Sequence, residues 1–169
     1  MQIPKLRVVS FAVKVTKPAD VKKNNIFPAN AQRDKPIIYA ISLQYHPNYN
    51  VESKTKNLAI GMQSIVFCLS SFGQVPANQK NIKIFKCENE LELLSRFFEA
   101  IEGFDPDILV CHDATMALDT IITRADHLNI KEKARMGRLG NNRLIPNIPN
   151  MKLRQMLVLA GRLLLDTYL

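Results

Sequence analysis

Three histidines and three cysteines are scattered along this sequence, and no cluster of them stands at metal-ligand spacing. His46 and His127 have no partner at metal-ligand spacing and read as structural or solvent-facing residues. His112 and Asp113 stand just before Ala114-Thr115, a position suited to capping a helix. Asp119 and Asp126 fall on that same predicted helix and read as solvent-facing charges. Cys68, Cys87 and Cys111 each lie within or beside an apolar segment, without CxxC spacing. Neither a zinc site nor a disulfide framework is suggested, and buried free thiols in a reducing compartment are expected. Phosphate-cradling GxGxxG and GxxxxGK[ST] motifs and a Gx[SC]xG nucleophile elbow do not occur.

Charge is the stronger signal. The chain carries a formal net charge of +8 and a pI near 9.5, a balance that favours polyanionic partners, chiefly nucleic acid. Between Lys131 and Arg162 stand Lys131, Lys133, Arg135, Arg138, Arg143, Lys152, Arg154 and Arg162 against the single acid Glu132. A second cluster comprises Lys14, Lys17, Lys22 and Lys23. Two solvated basic loops, about 16–35 and 131–150, are the competing explanation. No run of about 18 apolar residues is long enough to span a membrane. The N-terminus MQIPKLRVVS has no signal-peptide core.

The elements that must position these groups are legible from periodicity. At 169 residues the chain fits one domain with a sizeable core. Leu6 to Val15, β-branched and aromatic-rich, reads as a core strand. Thr16 to Lys35 is a surface excursion rich in Pro and Asn. Pro36 to Tyr45 is a second strand, followed by a polar loop from His46 to Asn57. Leu58 to Leu69 is a third strand with Gly61 as a candidate bulge, so an antiparallel meander is expected. Ile82 to Phe85 is a short strand. Leu91, Leu94, Phe97, Phe98 and Ile101 then recur at helical spacing. Asn89 with Glu92 suits an N-cap and its capping-box partner, and Gly103 suits the C-terminal end. Asp105-Pro106-Asp107 turns into Ile108 to Cys111, an apolar run typical of a buried parallel strand. A helix from about Thr115 to His127 follows. Gly137 to Asn150 reads as loop, Met151 to Ala160 as helix or strand, and Arg162 to Tyr168 as another strand.

Three segments together resemble the exonuclease domain of family B DNA polymerases. LELLSRFFEAIEGFDPDILVCHD is similar to the stretch in which an amphipathic helix leads through Asp-Pro-Asp into a buried strand and the second exonuclease motif. VVSFAVKV occupies the place of the first motif. MGRL and GRLLLDTYL resemble segments further on. The resemblance runs from Leu6 to Leu169 and implies an α/β, ribonuclease H-like fold of the 3'-5' exonuclease type: a mixed sheet, an antiparallel meander and helical crossovers. The alpha-type members of the family are the best match, with zeta-type members as the alternative.

That resemblance also implies a lost active site. Family members hold two divalent ions between carboxylates to activate water and stabilise the leaving oxygen. Such hard cations need oxygen ligands, ordinarily anionic ones. The two first-motif positions are Ala12 and Lys14. Alanine offers no ligand, and an ammonium about 4 Å from a cation is repelled by several kcal/mol, doubled for Mg²⁺. Asp113 matches the Asn of the second motif, and Ala117 (Leu118 without a one-residue gap) falls on its acidic position. The third motif is expected beyond Leu169. Lys14 pairing with Asp113 across the old site is a further expectation, and Asp166 fits either a relic ligand or a capping residue. The domain is thus expected to have no nuclease activity and no cofactor of its own, magnesium belonging to the polymerase site of a larger parent. Expected partners are the rest of a polymerase chain, template-primer DNA through Lys17, Lys22, Lys23, Arg135, Arg138 and Arg143, and primase and accessory subunits, in the nucleus. An independent nucleic-acid-binding protein on the same fold is the alternative.

Overall fold

Strict alternation in LRVVSFAVKV makes β1 (Leu6–Val15) the organising strand. Val9 and Phe11 are buried on one side, while Ala12 and Lys14 are exposed on the other, as the two-residue period of a strand requires. The computed structural model describes residues 5–16, 36–49, 61–71, 81–130, 136–139 and 158–168. Among these, β1 is followed by β2 (Ile38–Tyr49), β3 (Gln63–Leu69), β4 (Ile82–Cys87), α1 (Glu90–Phe104), β5 (Ile108–Cys111), α2 (Ala114–His127) and β6 (Leu163–Asp166). The described strands form one mixed sheet in the order β4-β3-β2-β1-β5-β6. The expected meander is present, β1 with β2 and β2 with β3 being antiparallel. β4 instead joins β3 in parallel, and β5 lies parallel to β1 and to β6. The α/β class and mixed sheet expected from the sequence are therefore observed.

The second strand is longer than its composition suggested. It runs through Pro47 to Tyr49, where a polar loop was expected from His46 onward. The register explains this: Val8 pairs with His46 but Leu6 with Tyr49, so two residues of β2 oppose one of β1. Pro47 sits in that bulge, where its missing N–H leaves no ladder bond unmade. Gly61 is not the bulge; it precedes β3 in a turn with φ 82°.

Helix α1 begins as its sequence predicts. Asn89 accepts the amide of Glu92 at 2.9 Å, and Glu92 reaches back to the amide of Glu88 at 2.8 Å, one residue before the usual capping-box donor. It ends differently. Asp105, not Gly103, takes the left-handed conformation, with φ 41°, and donates its amide to Ile101. Pro106 follows and cannot continue a helix, and aspartate tolerates this conformation better than most residues. The buried face carries Leu93, Leu94, Phe97, Phe98 and Ile101. Leu91 is 44% exposed and drops out of the predicted stripe.

Helix α1 packs on β2 and β3, and α2 on β5 and β6. Their buried residues join Val9, Phe11, Ile41 and Leu43 in one core. A buried ion pair fastens the helices together: Arg124 Nε and Nη2 lie 2.9 and 2.5 Å from the carboxylate of Glu90. The same carboxylate accepts the amide of Ile38 at 2.8 Å, at the start of β2. Cys68, Cys87 and Cys111 are free and buried, as expected. No described helix is long and apolar enough to cross a membrane.

Candidate nuclease-type site

Two residues apart on one strand, Ala12 and Lys14 share the exposed side of β1, as the first-motif match requires. They face outward beside Ser42 and Ala40, their partners on β2. Around Ala12 the sheet opens into a shallow groove of about 330 Å³. Ser10, Ala12, Ser42, Gln44, Ser64 and Ile82 line it together with their strand neighbours, and among the described residues no carboxylate does. Small neutral side chains leave room there, while Lys14 supplies a cation on the same face. Ser10, Ser42, Gln44 and Ser64 were not singled out from the sequence. The signal was the alternation that puts Ser10 on the side of Ala12, but the neighbours on β2 and β3 depend on register.

The residues matched to the second motif by sequence lie where β5 and β6 end. Asp113 leaves β5 in the left-handed conformation, φ 53°, and its carboxylate accepts the amide of Met116 at 3.4 Å as the N-cap of α2. Ala117 is half-buried against the core and donates its amide to the Asp113 carbonyl at 3.0 Å. Leu118, the alternative ligand position, is fully buried. Among the described residues no ion pair joins Lys14 to Asp113, so the expected pairing across the site is not formed. Asp119 and Asp126 are half-buried rather than solvent-facing. The capping role of Asp113 sets an expectation. Asp113→Ala loses both the cap, worth about 1 kcal/mol, and a residue tolerant of positive φ, worth about another 1 kcal/mol. Asp113→Asn keeps both and is expected near wild type. Urea unfolding of the two variants separates cap from charge; equal losses would assign the effect to the charge.

Asp166 has an unambiguous use. Its Oδ2 accepts the amide of Ala114, the first residue of α2, at 3.0 Å, and its Oδ1 accepts that of Tyr168 at 2.9 Å. These amides, Tyr168's first, hold its carboxyl below the usual range. Of the two roles open from the sequence, capping is the one it performs. Beside it, His112 Nδ1 lies 3.4 Å from the Thr167 hydroxyl, with its ring edge-on to Tyr168 at 5.5 Å. The Cys111 thiol is pushed up to about 11 by burial and then by Asp166 and Asp113, which unsuits it as a nucleophile. Among the described residues no three His, Cys, Asp or Glu side chains gather as a metal cluster.

Of the basic residues expected to meet DNA, Lys17, Lys22, Lys23, Arg135 and Arg143 lie outside the described residues. Arg138 is within them and is engaged by acids: Nε donates to Asp105 at 2.6 Å and Nη2 to Asp107 at 2.7 Å. These bonds help hold both carboxyls below their usual range, Arg138 being the largest cause at Asp105 and the Arg7 amide at Asp107.

Comparison with known sequences agrees with this fold. The family model described as DNA polymerase family B, exonuclease domain, matches residues 1–169. The chain belongs to that family. A relative, the DNA polymerase alpha catalytic subunit of Oxytricha trifallax, is 32% identical over 113 residues. That match covers 58% of this chain and 7% of the relative's length. Membership gives meaning to the observed topology. In this family B exonuclease-like domain β5 runs parallel beside the central strand β1, with Phe11 opposite Cys111.

Proposed function

We propose that this is a nuclease-silent exonuclease-like domain of an alpha-type replicative polymerase. It serves as a structural domain of a parent that performs DNA-directed DNA synthesis in the nucleus with primase and accessory subunits. The observation that carries the proposal is the exposed side of β1, which presents a methyl group at Ala12 and an ammonium at Lys14. Two divalent ions need several anionic oxygens at this place. Among the described residues the donors lining the groove are neutral, Asp113 caps a helix, and Asp166 binds amides. Such a donor set does not suit the metal pair of an active family member, and no catalytic step is derived through it. The alpha-type assignment is supported by the 32% identity to the Oxytricha subunit and by the Gly-Arg-Leu segment at 137–139.

The test is direct. Purified chain incubated with magnesium and end-labelled single-stranded DNA is expected to release no nucleotides above a chelator control. Release that rises with magnesium concentration would refute the proposal. A DNA-contacting role is part of the same reading, supported by the net charge of +8. Binding to single-stranded DNA is then carried by phosphate contacts and weakens steeply with salt.

A further inference from the structure

The tripeptide Gly-Arg-Leu occurs twice, at 137–139 and 161–163, and the fold presses the two copies together. The amides of Arg138 and Leu139 both donate to the carbonyl of Ala160, at 2.8 and 3.2 Å. A Cβ on Gly137 would lie 2.9 Å from the carbonyl oxygens of Val158 and Ala160. Gly161 has φ 90°, and a Cβ there would meet the Cβ of Arg138 at 2.9 Å. Both glycines are therefore required by the close approach of two backbones.

The paired arginines then converge on one turn. Arg138 Nε and Arg162 Nη1 donate to the same oxygen of Asp105, at 2.6 and 3.0 Å. Arg138 Nη2 also reaches the Asp105 carbonyl and Asp107 Oδ1, each at 2.7 Å. Arg162, its side chain 4% exposed, bonds the carbonyl of Pro106 and, at 2.8 Å, that of Met136. Arg7 closes the cluster from β1, with Nη2 2.8 Å from Asp105 and its amide 2.7 Å from Asp107 Oδ2.

What this arrangement decides is a register. β6 is a short strand reading Leu163-Leu164-Leu165-Asp166, so a one-residue slip leaves leucine opposite most partners. Burial discriminates poorly, because Leu163 and Leu165 are 55% and 44% exposed. A slip would nonetheless turn every side chain to the opposite face, taking Asp166 away from Ala114. In the observed register the Leu163 amide donates to Asp107 at 3.0 Å, directly after the clasped Arg162. Asp166 then falls beside Cys111. We propose that the doubled Gly-Arg-Leu clasp on Asp105-Pro106-Asp107 sets the register of β6 and so places Asp166 on the first turn of α2. Arg138 and Arg162 are positioning residues in this scheme.

Amide exchange and carboxyl titration by NMR on the 169-residue chain test it, comparing wild type with Arg162→Lys and Arg138→Ala. The variants are expected to exchange the Ala114 amide at least about tenfold faster, with the Phe97 amide in α1 unchanged. The Asp166 carboxyl should titrate nearer its ordinary range. Arg138→Ala removes the more exposed guanidinium and carries the same reading if Arg162→Lys does not fold. Unchanged Ala114 exchange and Asp166 titration in the folded variants would overturn the proposal. So would an equal rise at Phe97, which marks general loss of stability.

Discussion

Replacing Arg124 by methionine is expected to lower the unfolding free energy by about 3–5 kcal/mol, since it leaves a carboxylate buried without its counter-charge. Glu90 and Arg124 have side chains only 7% and 9% exposed, and they join the start of α1 to the end of α2. The stranded Glu90 would keep a single described donor, the amide of Ile38. One amide does not replace a bidentate guanidinium. The double variant Glu90→Leu/Arg124→Met removes both charges and is expected to be more stable than Arg124→Met alone. It still loses about 1–3 kcal/mol for the orphaned Ile38 amide. Urea unfolding followed by far-ultraviolet circular dichroism reads both. A single variant within about 1 kcal/mol of wild type would mean that the helices are joined by apolar packing instead.

The second large effect lies in the core beneath the site strand. Phe97 is fully buried, and its ring lies 5.7 Å from that of Phe11 on β1 and 5.4 Å from that of Phe98. Phe97→Ala is expected to lower stability by about 3–5 kcal/mol through lost transfer energy and the cavity left behind. Leu91→Ala, six residues earlier on the same helix, should stay within about 0.5 kcal/mol. The same unfolding experiment compares them. Similar losses for both would contradict the placement of α1 on the sheet. Phe11 directly precedes Ala12, so this contact also steadies the strand that bears the first-motif positions.

Several polar side chains among the described residues are used for construction. Asp113 and Asp166, the acids nearest the second motif, bind amides of α2 and of the chain after β6. Arg138, which charge alone marks as a DNA contact, is tied to Asp105 and Asp107. Helix capping and ion pairing supply each of these groups with partners inside the protein. A basic net charge therefore says less about nucleic-acid contact than the position of each cation does.

Much of this could be read directly from residue order. The alternation of LRVVSFAVKV determined β1 and the shared face of Ala12 and Lys14, because a strand's period of two is local. Helical spacing and the Asn89–Glu92 pair determined the start and the apolar face of α1 for the same reason. The resemblance of three segments determined the family. Tertiary structure decided the rest. The extension of β2 through Pro47 depends on a bulge against β1, which no property of residues 46–49 announces. The choice of Asp105 over Gly103 as the left-handed residue depends on a carboxylate bonded by arginines 33 and 57 residues away. The Glu90–Arg124 pair spans 34 residues, and the Leu163-Leu164-Leu165 run is degenerate in register until Asp107 and Asp166 find their partners. Contacts between distant residues arise only when the chain has closed, whereas period, capping and turn preference act within a few bonds of each residue.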